Sequence, residues 1–101
     1  MIVRLGKDGA VVADADDCGH LHLETDLDQA ALRTALATTG TGELVDADTV
    51  HLDLGVLRSR AALIATATDW AERWTAMTGQ ARSRGRLSPD GRSVQVHVER
   101  R

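Results

Sequence analysis

The sequence contains no phenylalanine and no tyrosine, and its only aromatic side chains apart from histidine are Trp70 and Trp74. Proteins that bind single-stranded nucleic acids stack the bases on aromatic residues, so this scarcity argues against that class of protein. Leucine, valine and alanine must then build most of the core around the two indoles. Trp70, Trp74 and Met77 recur at helical spacing, and we expect them to be core residues rather than the walls of a ligand pocket.

A single cysteine, Cys18, excludes an internal disulfide and fits a reducing compartment. Asp14, Asp16 and Asp17 surround it with negative charge that opposes thiolate formation, which argues against a nucleophilic role. No apolar run approaches the roughly 18 residues that a membrane-spanning helix needs. The first residues also lack the apolar stretch of a signal peptide. We therefore expect a cytoplasmic protein with no membrane association.

Lysine is almost absent, and the excess of arginine and alanine is typical of a GC-rich bacterial genome. The formal net charge is −3, but residues 1–55 hold three basic and eleven acidic side chains, whereas residues 56–101 hold nine basic and four acidic ones. Such an asymmetry indicates either a basic nucleic-acid-binding segment or two parts that neutralise each other, within a chain or across a dimer. Because the whole chain is acidic, we favour the second interpretation and expect no nucleic-acid partner.

Hydrophobic periodicity predicts one α+β domain over residues 1–101. Two strands flank the turn in "MIVRLGKDGAVVADAD", and "HLHLET" alternates as a third strand. Next come a helix that ends at Gly40 and the strand "TVHLDL". They are followed by a broken helical region from Val56 to about Gly85 and by a hairpin with its turn at Pro89 and Gly91. This order, βββ-α-β-α(α)-ββ, predicts a single, mostly antiparallel sheet of about four to six strands with two or three helices covering one face.

Two aspartates carry the signature of helix N-terminal caps. Asp26 is followed three residues later by Gln29, and Asp69 by Glu72, as in a capping box. Between the first helix and the next strand, "TGTGELVDAD" is rich in turn-forming residues and is predicted to be a connector.

Three of the predicted strands end in the same pattern, a histidine followed two residues later by a carboxylate: "HLE", "HLD" and "HVE". Strand alternation puts each such pair on the side opposite the aliphatic residues. If the strands share one sheet, helices cover the aliphatic side and the reverse side exposes the polar one. Six candidate catalytic residues would then share that reverse side: His22, His51, His97, Glu24, Asp53 and Glu99.

This polar face has three interpretations. Histidine is a common metal ligand, and two histidines spaced as in "HLH" at residues 20–22 can reach one ion. Histidine is also a general acid or base near neutral pH. Alternatively, these are ordinary polar residues of a sheet face that contacts solvent or a second subunit. We favour this last interpretation and expect no metal and no cofactor.

Four arginines in the C-terminal part are candidates for binding a phosphate or an acidic partner: Arg82, Arg84, Arg86 and Arg92. The function that we favour is a small interaction or regulatory module that forms a homodimer, with another protein as a further partner. The alternative is a small enzyme of the isomerase, cyclase or dehydratase type that uses the histidines of the open face as acid, base or metal ligands.

Overall fold

The structure is a computed structural model that describes residues 1–100, which form six strands, three helices and one 3-10 turn. In chain order the elements are β1 (Ile2–Gly6), β2 (Gly9–Ala13), the 3-10 turn (Cys18–His20), β3 (His22–Thr25), α1 (Gln29–Thr39), β4 (Gly42–Asp46), β5 (Thr49–Asp53), α2 (Leu54–Ala62), α3 (Trp70–Ser83) and β6 (Ser93–Arg100). None of the helices within residues 1–100 has the length and apolar character that crossing a membrane requires.

The six strands form one mixed sheet in the order β2-β1-β3-β6-β5-β4. The pairs β1–β2, β4–β5 and β5–β6 are antiparallel, whereas β1–β3 and β3–β6 are parallel. The predicted α+β fold with a single sheet is confirmed, but the sheet is mixed rather than mostly antiparallel. Alternation along a strand determines which side chains share a face, and it contains no information about the direction of the neighbouring strand.

All three helices pack on the same face of this sheet. The strands contribute to the core Val3, Leu5, Val12, Leu23, Val50, Leu52, Val94, Val96 and Val98. The helices contribute Leu32, Ala35, Leu36, Leu57, Ala61, Trp70, Trp74 and Ala81. Helix α2 starts directly after β5 and also contacts β2, so it crosses over the sheet towards the opposite edge.

The two tryptophans lie in this core, as predicted. Their ring centroids are 5.5 Å apart, and both side chains are buried against the aliphatic layer. The Trp70 indole Nε1–H donates a hydrogen bond of 2.7 Å to the carbonyl oxygen of Ala15. Met77 packs at the margin of the same core. The indole N–H group thus has a partner inside the core, which removes the cost of burying it.

The helix starts differ in part from the predicted ones. Helix α1 is capped by Asp28, whose Oδ1 accepts the backbone N–H of Ala31 at 2.8 Å, so the prediction of Asp26 as the cap is wrong. Helix α3 follows Asp69 as predicted, but this side chain makes an ion pair with Arg73 at 3.0 Å instead of capping the helix. The predicted end of α1 at Gly40 is confirmed, because this glycine adopts a left-handed φ of 66°.

The predicted connector "TGTGELVDAD" contains the edge strand β4. A Cβ atom at Gly42 would collide with the backbone carbonyl of His51, so only glycine permits this close pairing with β5. Glu43, Val45 and Asp46 are exposed. The strand therefore pairs through its backbone and lacks the hydrophobic alternation that identifies buried strands.

The predicted C-terminal hairpin is present in shortened form. Its turn is closed by the N–H of Gly91, which donates to the Ser88 carbonyl at 2.9 Å, and Gly91 has a left-handed φ of 72°. The first strand of the hairpin is reduced to one bridge between Leu87 and Val94. Beyond that bridge, the same edge of β6 pairs with β3, and the first pair of residues is Leu23 and Val98.

Asp16 fastens the loop between α2 and α3 to the loop that follows β2. Its carboxylate accepts the backbone N–H groups of Thr66 and Ala67, each at 3.0 Å, and the Thr66 hydroxyl at 2.7 Å. The hydrogen bond from Ala67, together with those from Thr66, holds the pKa of Asp16 below its usual value. This side chain helps to keep the second and third helices over the sheet.

Candidate functional site on the open sheet face

The face of the sheet opposite the helices, here called the open face, is uncovered by any element within residues 1–100. Its side chains, all at least partly exposed, are Ile2, Arg4, Val11, Ala13, His22, Glu24, Glu43, Thr49, His51, Gln95, His97 and Glu99. Alternation within each strand produces this arrangement, since the residues between them belong to the core. Histidines and carboxylates thus stand together on the reverse of the aliphatic layer.

A cluster of three of these residues lies near the centre of the open face. His22 Nε2 is 3.3 Å from Glu24 Oε2 and 3.7 Å from Glu99 Oε2. One ligand atom from each residue lies within 4.8 Å of the other two. The parallel register of β3 and β6 causes this approach, because it places Glu24 directly beside Glu99. We refer to these three residues as the His22 cluster.

A backbone contact fixes the orientation of the His22 ring. Its Nδ1 lies 3.1 Å from the carbonyl oxygen of His20. A carbonyl oxygen can only accept, so Nδ1 carries the hydrogen of this bond. The other ring nitrogen, Nε2, faces Glu24 and Glu99 and makes a hydrogen bond of 3.3 Å to Glu24 Oε2.

Arg4 contacts the cluster from the neighbouring strand β1. Its Nε is 3.5 Å from Glu24 Oε1, whereas the other oxygen of the same carboxylate, Oε2, faces His22. Arg4 and Glu24 are direct partners in the register of β1 and β3. The alternation in "MIVRL", which puts Ile2 and Arg4 opposite Val3 and Leu5, is the sequence signal that identifies Arg4 as a member of this face.

The other predicted histidines lie on the open face but outside the cluster. His51 is paired in register with Glu43 on one side and with Gln95 on the other, and His97 is paired with Thr49. The only group of three or more potential metal ligands among residues 1–100 is the His22 cluster. The three imidazoles predicted for this face therefore do not converge on one point.

Asp53, the remaining predicted catalytic candidate, has a structural partner. Its Oδ1 accepts the backbone N–H of Val56 at 2.9 Å and so caps helix α2. The predicted strand "TVHLDL" accordingly stops at Asp53, and Leu54 is the first helical residue. This carboxylate satisfies one of the free N–H groups at the start of the helix.

His20 does not join His22. It belongs to the 3-10 turn rather than to β3, so the prediction of a strand beginning at His20 is wrong. Its Nδ1 lies 2.9 Å from Asp17 Oδ1. The chelating pair that "HLH" permits is therefore not formed, because the two side chains belong to different elements.

Cys18 is buried, and its Sγ lies 3.8 Å from the Ala15 carbonyl oxygen. Burial raises the pKa of this thiol above its usual value. A protonated thiol is a poor nucleophile, so this environment agrees with the expectation that Cys18 has no nucleophilic role.

The predicted arginine cluster is divided between two places. Arg82 lies in the last turn of α3, and Arg84 and Arg86 line a small cavity of about 80 Å³ together with Gln80 and Gln95. Arg92 lies next to the hairpin turn, where its backbone carbonyl accepts the N–H of Leu54 at 2.8 Å. All four arginines are exposed. The proposed role in binding a phosphate or an acidic partner stays a prediction.

Comparison with protein-family models, with curated proteins and with solved structures gives no match for this chain.

Proposed function

We propose that this protein is a small interaction module that associates with a second copy of itself through the open face. The observation that carries the proposal is an entire sheet face without a covering element in residues 1–100, on which apolar and charged side chains are mixed. Val11 is 64% exposed and lies beside Arg4, and Ile2 lies beside Ala13. Exposed apolar groups that are bordered by polar ones are typical of protein–protein contact surfaces.

The apolar side chains of the open face support a second copy as the partner. A two-fold symmetric contact uses the same surface on both copies. Ile2, Val11 and Ala13 lie on β1 and β2 at one edge of the sheet. A contact between two open faces would remove these side chains of both copies from water.

The proposal is tested by measuring the molar mass in solution with a charge placed on the apolar part of the open face. We expect wild type to sediment as a dimer in analytical ultracentrifugation. Val11→Glu should sediment as a monomer, because removing a charged carboxylate from water in the contact costs on the order of a few kcal/mol even beside Arg4. The matched control is Leu63→Glu, since Leu63 is 86% exposed but lies at the end of α2, on the helical side of the sheet.

Leu63→Glu should remain a dimer, and circular dichroism should show native secondary structure for both variants. A monomeric wild type at every accessible concentration would contradict the proposal. So would a Val11→Glu protein that still dimerises, because the contact would then lie elsewhere.

The enzymatic alternative has one observation in its favour, the contact between His22 and Glu24. A carboxylate beside an imidazole is a common acid–base arrangement. A groove of about 610 Å³ at the end of β1 and β3 is lined by Glu24, Arg4 and Thr25, among others. His22 itself stands on the flat part of the open face, which suits a contact surface better than an enclosed reaction site.

A further inference from the structure

The geometry points to a binding site for one divalent transition-metal ion, formed by His22 Nε2, Glu24 Oε2 and Glu99 Oε2. We propose that this chain binds such an ion, with zinc as the reference metal. All three ligands come from one chain, so the site is complete without the self-association proposed above, although that contact would cover it because the His22 cluster lies on the open face. It departs from the sequence-based expectation of no metal, and the reason is the parallel pairing of β3 with β6, which the sequence does not reveal.

The distances from His22 Nε2 to the two carboxylates fit a metal site, and one ligand atom from each of the three residues lies within 4.8 Å of the other two. Zinc binds imidazole nitrogen and carboxylate oxygen at about 2.0–2.2 Å, so two ligand atoms of a tetrahedral site lie roughly 3.3–3.5 Å apart. His22 Nε2 is 3.3 Å from Glu24 Oε2 and 3.7 Å from Glu99 Oε2. Small side-chain rotations would therefore bring all three atoms into the coordination shell of one ion. The side chains come from adjacent strands of a hydrogen-bonded sheet, which limits the rearrangement needed.

The orientation of the His22 ring provides the second argument. The hydrogen bond from Nδ1 to the His20 carbonyl directs Nε2 towards two carboxylate oxygens. A metal ion would replace the hydrogen that Nε2 shares with Glu24 Oε2, and the two carboxylates would stabilise its positive charge. A hydrogen bond from the other ring nitrogen to a backbone carbonyl is also the usual support of a metal-bound histidine, because it fixes the ring and increases its basicity.

The surroundings of the cluster permit an ion to enter and to be held. The side chains of His22 and Glu24 are only 23% and 17% exposed, whereas that of Glu99 is 57% exposed. Two ligands are thus held within the sheet surface and the third is open to solvent. Arg4 contacts Oε1 of Glu24 and leaves Oε2 on the side of His22. Its positive charge favours a moderate rather than a very high affinity.

The ligand set indicates the class of metal. One imidazole and two carboxylates suit zinc, iron(II), cobalt(II), nickel(II) or manganese(II), whereas magnesium and calcium prefer oxygen ligands throughout. Three protein ligands leave at least one position for water, as in zinc sites with an exchangeable ligand.

The proposal is tested by titrating zinc and cobalt(II) into the EDTA-treated, desalted chain of residues 1–101. Isothermal titration calorimetry should show one zinc ion per chain, and cobalt(II) should develop the visible absorption of a site with nitrogen and oxygen ligands. His22→Gln and Glu99→Gln should each weaken binding by at least about tenfold, the lower end of the effects known for disturbed metal sites. His97→Gln is the matched control, since it removes a histidine of the same face outside the cluster and should leave the affinity unchanged.

The monomeric Val11→Glu variant should bind zinc as wild type does, which separates this proposal from self-association. Circular dichroism verifies that each variant is folded, and Glu99→Gln, at the most exposed ligand, remains informative if His22→Gln is destabilised. Absence of zinc binding by wild type would overturn the proposal. Equal losses in His22→Gln and His97→Gln would do the same, because binding would then be adventitious.

Discussion

The covered and open faces of the sheet are built from the same strands but differ in what their side chains do. On the covered face Leu23, Val50 and Leu52 are completely buried. On the open face their immediate neighbours in sequence, His22, Glu24 and His51, are partly exposed. Many combinations of aliphatic residues could form the packing between the covered face and the helices, whereas the open face holds individual polar atoms at defined distances from one another.

This difference has a physical origin. Apolar packing is non-directional and depends on the area removed from water, so it tolerates any strand order that keeps the aliphatic residues on one side. The His22 cluster depends on which strands are adjacent and in which register, because Glu99 reaches His22 only when β6 lies beside β3. Which residues form the covered face therefore follows from the alternation along each strand, whereas the arrangement of polar atoms on the open face follows from the order and register of the strands.

The largest expected effect is a difference in the free energy of unfolding between two valine substitutions, one on each face. Val50→Ala removes two buried methyl groups and should lower the free energy of unfolding by about 2–3 kcal/mol, from the lost transfer energy and the remaining cavity. Val11→Ala makes the same change at a side chain that is 64% exposed in the single chain and should stay within about 0.5 kcal/mol of wild type when neither protein is dimeric. Urea denaturation at protein concentrations too low for the dimer to form measures both values, and similar losses for the two variants would show that Val11 is covered within a single chain.

A smaller effect tests whether Asp53 belongs functionally to the open face or structurally to helix α2. Asp53→Ala removes the acceptor of the Val56 N–H and should lower the free energy of unfolding by about 1 kcal/mol. Asp53→Asn keeps an oxygen acceptor and should remain within about 0.5 kcal/mol of wild type, because asparagine is an equally good cap. Chemical denaturation distinguishes the two variants, and an equal loss in both would mean that the negative charge matters rather than the cap.

The smallest effect concerns the loop that holds α2 and α3 over the covered face. The pKa of Asp16 is lowered in the folded state by hydrogen bonds from Ala67 and Thr66. Its contribution to stability is therefore present above the unfolded pKa and is lost as the pH falls through the lower, folded pKa. We expect Asp16→Asn to be less stable than wild type at neutral pH, and the difference to shrink towards zero as the pH falls below about 4.

Denaturation curves recorded from neutral to acidic pH provide this measurement. Thr66→Val, which removes one of the donors to Asp16, should remove part of the acid dependence of stability that Asp16→Asn removes completely. A difference between wild type and Asp16→Asn that stays constant down to low pH would contradict the proposed role of the ionised carboxylate.

Much of the fold could be predicted from local patterns in the sequence. The alternation of "HLE", "HLD" and "HVE" correctly separated core from open-face residues, and Gly40 and Gly91 marked real chain reversals with positive φ. Strand β4 was missed because an exposed edge strand pairs through its backbone and has little hydrophobic alternation. Asp26 was predicted as the cap because Gln29 follows it three residues later, whereas the helix begins after Asp28, whose carboxylate accepts the Ala31 N–H.

The candidate site could be predicted only in part. Sequence reasoning placed His22, Glu24 and Glu99 on one face, and the structure brings these three together. It could not separate them from His51 and His97, because their separation is set by strand order and register, which are long-range properties. Arg4 was not among the candidates, although its position opposite Val3 and Leu5 identifies its face.

The central position of β6 has a consequence for how the chain folds during synthesis. Strands β2, β1 and β3 form one half of the sheet and β5 and β4 form the other, and β6 is the strand that joins them. Ribosomes add residues from the N-terminus at about 5–20 per second, so both halves emerge before residues 93–100 are available. Until then His22 and Glu24 lie on the edge of β3 that has no neighbouring strand, and Glu99 is not yet beside them. Assembly of the site therefore coincides with the final step that joins the two halves.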